Sequence, residues 1–197
     1  MQKPAHCRFC NLGAEGTSTP GLGFVPDGLY LPPSETPDLS KLRCVVQSEM
    51  PTKDEVNIGT PLAGEYGYAR WLRFFQAAGW QRDEIGFTHL TRCYRWNPVD
   101  KKPGLTGASA KDAYKKCREY DRLLTAFRPD VAVISQSPTD TIQTPAYYRL
   151  IVADLVKART LADRGLRPIV LLGDAPLRYW FPNLSGTKRW YGGWFPL

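Results

Sequence analysis

Between Gln47 and Gly67 the chain crowds three acids, Glu49, Asp54 and Glu55, together with prolines and glycines, into the exit from the apolar run Leu42 to Val46. Carboxylates at a strand exit can position a water or steady a developing positive charge. The same acids could equally make a solvated turn, and composition alone favours that reading. A second set of reactive groups is the five cysteines. Cys7 and Cys10 form a C-x-x-C pair, Cys93 follows a strand-like run, and Cys117 sits in the helix-like segment after it. Four thiolates so placed can close around zinc or an iron-sulfur cluster, and ligand type does not separate the two. Cys44 lies inside the apolar run between Arg43 and Val45, the position of a buried, inert thiol. In a reducing compartment such cysteines read as ligands rather than disulfides.

The elements that must position these groups alternate along the chain. "LRCVVQS" predicts a buried strand, and "YARWLRFFQAAGW" a helix with Ala69, Leu72, Phe75 and Ala78 on one stripe. "IGFTHLT" is a second strand, followed by the Pro/Gly-bearing loop "NPVDKKPGLTG". Ser109 and Asp112 have capping-box spacing and open a helix with Ala113, Cys117, Tyr120, Leu124 and Phe127 on one face. "DVAVISQ" is a third strand. The next helix, "AYYRLIVADLVKARTLADRG", carries Tyr148, Ile151, Leu155, Ala158 and Ala162 inward and stops at Gly165. "RPIVLLG" is a fourth strand and "DAPLRYWF" begins a short helix. This rhythm predicts an α/β fold, a mostly parallel sheet covered on both faces, with its chemistry at the carboxyl ends of the strands.

At 197 residues and 43% hydrophobic, the chain is expected to form one domain over 1–197. The net charge of +7 favours a polyanionic partner without requiring one. No apolar run reaches membrane-spanning length and the first twenty residues lack a signal-peptide core, so no membrane partner is expected. The default is a cytoplasmic, nucleoid-associated monomer.

These residues together resemble the iron-sulfur uracil-DNA glycosylases, usually called family 4, over nearly the whole chain. That family opens with C-x-x-C, and its first strand ends in G-E-x-P-G-x-x-x-(E/D), leading to G-x-P-F-x-G. Here the same register reads Ser48, Glu49, Met50, Pro51, Thr52, then Glu55, Gly59, Pro61, Leu62 and Gly64. The family's next strand ends T-N-x-x-K-C, and here it ends Thr88, His89, Leu90, Thr91, Arg92, Cys93. A further cysteine lies on the following helix ahead of an R-P-x-V-x-V strand, as Cys117 precedes Arg128 and Pro129.

The resemblance implies a three-layer α/β/α sandwich on a short, mainly four-stranded parallel sheet. It implies a structural [4Fe-4S] cluster held by Cys7, Cys10, Cys93 and Cys117, and DNA, single-stranded or mismatched duplex, as partner. The implied activity is hydrolysis of the N-glycosidic bond of uracil or a related deaminated base in base excision repair. Glu49 is then the first catalytic carboxylate and Glu55 the second, with Ser48, Pro51, Leu62 and His89 at the substrate. Lys101, Lys102 and Lys111, in a gap wider than the family's, suit phosphate contacts or a solvated loop.

Three departures bear on activity. Leu62 replaces the family's stacking Phe and loses the flat aromatic face. His89 replaces its uracil-reading Asn, and an imidazole sets donor and acceptor on different ring edges, so the base preference is expected to change. The family's late His-Pro-Ser type motif is missing from a sequence with two histidines, His6 and His89. Removing one donor to a developing anion costs about 2.7 to 4 kcal/mol, and His89 is the group placed to fill that role. The late segment "TKRWYGGWFPL" suits nucleic-acid stacking and also packing against more chain. The alternative to a glycosylase is a catalytically inactive iron-sulfur relative that binds DNA or a protein. A cysteine-zinc protein of unrelated α/β fold is the third reading.

Overall fold

Four apolar runs of about five residues, rich in Val and Ile and bounded by charged or turn-forming residues, are too short for stable helices and become strands. The computed structural model describes residues 28–29, 39–52, 55, 67–91, 96–97, 102–103, 107–119, 121–136, 145–184 and 186–197. In chain order they form β1 (Gly28–Leu29), β2 (Cys44–Ser48), α1 (Gly67–Ala77), β3 (Ile85–His89), β4 (Trp96–Asn97) and β5 (Lys102–Pro103). Then come α2 (Gly107–Glu119), α3 (Arg122–Phe127), β6 (Val131–Ser135) and α4 (Pro145–Asp163). The chain continues with β7 (Pro168–Leu172), α5 (Asp174–Trp180) and β8 (Trp194–Pro196).

One sheet has the order β1-β3-β2-β7-β6-β8, and β4 pairs with β5 in a separate antiparallel ribbon. The four central strands are parallel, which the expected strand-helix rhythm requires. The edges were not foreseen: β1 and β8 run antiparallel to their neighbours. β8 is half exposed and contains Pro196, a residue that an edge accepts and a central strand does not.

Helices cover both faces of the sheet. Cys44, Val46, Ile85, Phe87, Val133 and Val170 pack with Trp71, Phe75, Ile151 and Leu155 of α1 and α4. The alternate residues Val45, Ala132, Ile134, Ile169 and Leu171 pack with Leu123, Leu124, Phe127 and Leu177 of α3 and α5. The late aromatic segment belongs to this second face, where Trp190, Tyr191 and Phe195 lie against the core. Its packing role is thus met within the chain, although Trp194 stays 53% exposed. Cys44 has no exposed surface, and burial pushes its thiol well above the usual range, as an inert core cysteine requires.

Two details of the sequence reading are corrected. The helix expected from Ser109 through Phe127 is two helices: α2 begins earlier, at Gly107, and ends at Glu119, and Asp121 starts α3. Asp121 Oδ1 accepts the Leu124 amide at 2.8 Å, an N-cap that interrupts the run, while Thr88 Oγ1 of β3 donates to Asp121 Oδ2 at 2.8 Å. In α4 the buried tyrosine is Tyr147, not Tyr148, which is 38% exposed and sets its ring 5.0 Å from Phe74 at the helix margin. Ile151, Leu155, Ala158 and Ala162 are buried as expected. The helix stops at Gly165, whose φ of +84° suits glycine, with Leu166 N–H bonded to Leu161 O as the cap.

Among the described residues no helix is long and apolar enough to cross a membrane. Replacing Asp121 by Ala removes a cap and leaves a buried Thr88 hydroxyl without its acceptor. A loss of about 2–3 kcal/mol in urea unfolding is expected, and a smaller loss for Asp121→Asn, which retains a capping oxygen.

Candidate functional site

Parallel pairing in register sets Ser48, the last residue of β2, beside His89, the last of β3. The pairing runs on past the strands: Leu90 N–H bonds Ser48 O at 2.9 Å and Thr91 N–H bonds Glu49 O at 3.0 Å. The main chain of Glu49 is thereby fixed at the sheet's carboxyl edge.

The acidic turn folds back onto this edge. Thr52 N–H donates to Glu55 Oε2 at 2.6 Å, and Glu55 N–H donates to Thr52 Oγ1 at 3.2 Å. This is the reciprocal bonding of a T-x-x-E capping box, a signal that the sequence carried at Thr52 and Glu55 and that was not read there. Pro51 is buried beneath the turn. The second Glu55 oxygen, Oε1, lies 3.5 Å from His89 Nε2, and both residues are 3% exposed. That contact falls short of hydrogen-bond geometry at Nε2. The other ring nitrogen, Nδ1, is 2.5 Å from Ser48 Oγ. The Phe87 ring lies against the imidazole, 5.4 Å between centroids, and holds its plane.

Glu49 faces α2 and is half-buried. Tyr114 of α2 donates its hydroxyl to Glu49 Oε1 at 2.9 Å. Burial first, and then the Glu49 charge and this bond, push the Tyr114 phenol well above its usual range, so it stays a donor. Tyr114 was not anticipated as a site residue, because a lone aromatic on a helix face looks like core. Trp180 of α5 donates Nε1–H to Oε1 of the buried Gln47 at 2.7 Å, and the Arg118 guanidinium stacks 4.0 Å over the Trp180 ring. These contacts seat α2 and α5 against β2 directly behind Glu49.

Ser48, His89 and Glu55 are therefore in contact, while Glu49, next to Ser48 in the chain, turns its side chain to α2 and Pro51 is buried in the segment between. Leu62, Cys7, Cys10 and Cys93 lie outside the described residues. Cys117 lies on α2, half-buried, one helical turn after Tyr114. Among the described residues no group of three or more His, Cys, Asp or Glu is placed to hold a metal ion.

A second polar cluster lies at the carboxyl end of β6. Asp154 of α4 is 6% exposed. Burial raises its carboxyl, while the Ser135 hydroxyl and the Lys157 ammonium oppose the rise. Lys157 Nζ also donates to Gly192 O, which ties α4 to the chain leading into β8.

No family model matches the chain, and comparison with curated proteins gives no match.

A carboxyl raised on folding favours the folded state while it is protonated, and that contribution is lost as pH climbs from the ordinary 3.8 through the raised value. Asp154→Asn does not titrate. The stability of this variant relative to the wild type should therefore increase as pH is taken from below 3.8 to 7, measured by thermal unfolding across that range.

Proposed function

We propose that this protein is a uracil-DNA glycosylase-like enzyme that binds single-stranded or mismatched DNA and excises uracil or a related deaminated base. The fold reading is the three-layer sandwich of that superfamily. The carrying observation is that Ser48, Glu55 and His89, at positions matching the resemblance, are in contact at the carboxyl edge of β2 and β3, with Glu49 next to Ser48 in the chain. The parallel sheet with helices on both faces and the net charge of +7 support the same reading.

Base excision begins with a nucleotide leaving the stack, so that its pairing edge meets the protein. Ser48 and the backbone of the turn face that edge. Tyr114 fixes one oxygen of Glu49 and so orients the carboxylate. Glu49 accepts a hydrogen bond from the attacking water and steadies the positive charge that develops on the sugar as the glycosidic bond lengthens. Water adds to the sugar carbon, the base departs with the bonding electrons, and a proton is returned to it. His89 has both ring nitrogens turned to Ser48 and Glu55, and it acts on the base through Ser48 rather than by direct donation.

Cys7, Cys10, Cys93 and Cys117 would hold a [4Fe-4S] cluster. Cys117 fits that role because it is half-buried and reachable, whereas Cys44 is sealed in the core. When bound, the cluster supplies cross-linking of distant segments and no step of the hydrolysis.

The second reading, an inactive relative that binds DNA, draws support from the buried, inward-turned His89 ring. Single-turnover assays on oligonucleotides carrying uracil, hypoxanthine or xanthine separate the two. Excision of at least one base is expected, falling by about a hundredfold or more in Glu49→Gln and by about tenfold in Tyr114→Phe, which loses one charge-assisted bond. No abasic product from any substrate, with DNA binding intact, would establish the inactive relative. Anaerobically purified protein should be brown with a visible band that bleaches on reduction, and Cys117→Ser should lose iron. A colourless protein containing zinc would point to the third fold reading.

A further inference from the structure

We infer that Ser48 determines base selectivity, and that a Glu55–His89–Ser48 relay makes its hydroxyl an outward hydrogen-bond acceptor. The inference takes its ligand from the base-excision reading. The ring state it requires does not depend on that reading.

The relay begins with the capping box. The Thr52 amide occupies Glu55 Oε2, so the carboxylate turns Oε1 toward His89 Nε2, 3.5 Å away in a site with almost no exposed surface. Glu55 Oε1 is the acceptor on the Nε2 side of the ring, at a distance outside hydrogen-bond geometry, and in the inferred relay the ring hydrogen sits at Nε2. With the hydrogen at Nε2, Nδ1 carries a lone pair, and across the 2.5 Å contact the Ser48 hydroxyl donates to it. A serine hydroxyl has one hydrogen and two lone pairs. With the hydrogen directed inward to the ring, half-buried Ser48 presents lone pairs to whatever occupies the edge.

That polarity sorts bases by class. Uracil carries N3–H and hypoxanthine N1–H on the pairing edge, and both are donors. Cytosine N3 and adenine N1, at the corresponding positions of the parent amino bases, are acceptors and would set lone pair against lone pair. A site that pairs with the first group leaves the second with an unmet polar contact, which is how a hydrogen-bonding pocket rejects a near-isostere. Ser48 therefore recognises the imino N–H that deamination creates. His89 and Glu55 are positioning residues that hold Ser48 in the accepting state.

The ring state is read directly by nitrogen-15 NMR. The chain has two histidines, so His6→Gln leaves His89 as the one imidazole signal. A protonated Nε2 and a bare Nδ1 are expected, and a hydrogen on Nδ1 would overturn the inference. Selectivity is read by fluorescence anisotropy with single-stranded oligonucleotides that differ only in uracil against cytosine, or hypoxanthine against adenine. The wild type should prefer the deaminated member about tenfold, the scale of one net hydrogen bond. Ser48→Ala should abolish the preference. Glu55→Gln, whose amide N–H can face Nε2 and drive the hydrogen to Nδ1, should also abolish it, with the ring hydrogen appearing on Nδ1 in the nitrogen-15 spectrum. A preference that survives Ser48→Ala would overturn the assignment. Absence of excision with the tautomer and preference intact would end the enzymatic reading and leave Ser48 as a selectivity residue for binding. The opposite tautomer would end this inference and leave excision open.

Discussion

The in-register parallel pairing of β2 with β3 is the constraint on which the candidate site depends. It runs from Cys44↔Ile85 to Ser48↔His89, and the contact of Ser48 with the His89 ring follows from its last pair. A one-residue slip would exchange the faces of all side chains on one strand. Gly86 opposes it, because a Cβ there would lie 2.8 Å from Leu123 Cδ2 and 3.0 Å from Leu42 Cδ1, and those side chains would have to shift. Neither Ile85 nor Phe87 can take that position without displacing the α3 face of the core. A glycine in the middle of β3 thus helps hold in register His89, three residues on, beside Ser48 of β2.

The two ends of the strands do different work. At the amino ends Arg43 bonds Glu84 at 3.0 Å and Asp163 at 2.6 Å, and Arg43 and Arg159 both lie over the Trp80 ring. Trp80 donates its indole N–H to Leu155 O at 3.0 Å. This network joins the starts of β2 and β3 to the end of α4 and sets opposite charges side by side, with Arg159 3.9 Å from Glu84 and 3.8 Å from Asp163. At the carboxyl ends the polar groups are arranged along a half-buried edge, with Gln47 and Thr88 tied behind it to Trp180 and Asp121. The rear ties hold the front in place, as the proposed discrimination between similar bases would require.

Much of the fold was legible in the sequence because buried parallel strands and amphipathic helices leave strong periodic patterns. The four central strands, the helix from Gly67 and the stop at Gly165 all follow from such patterns. The break at Asp121 was missed because Leu124 and Phe127 continue the helical spacing of Ala113 and Cys117. The chain changes direction there through a side-chain cap bonded to Thr88, a partner distant in sequence. Tyr147 displaced Tyr148 for a related reason, since adjacent identical residues leave the phase of a stripe open by one position. The antiparallel edges depend on pairings that no local pattern encodes. At the candidate site, Ser48, Glu49, Glu55 and His89 were named from the strand exits and the resemblance, and the structure places Ser48, Glu55 and His89 in contact. Tyr114 could not be found that way, because its role exists through a carboxylate 65 positions earlier.

One turn of α2 carries both Tyr114, which steers Glu49, and Cys117, the half-buried sulfur. Residues three apart on a helix move as a unit. Whatever anchors or releases the thiol therefore also sets the aim of the carboxylate. In the proposed enzyme, activity lost on altering Cys117 would report first on where that turn sits, a mechanical effect on acid placement ahead of any electronic one.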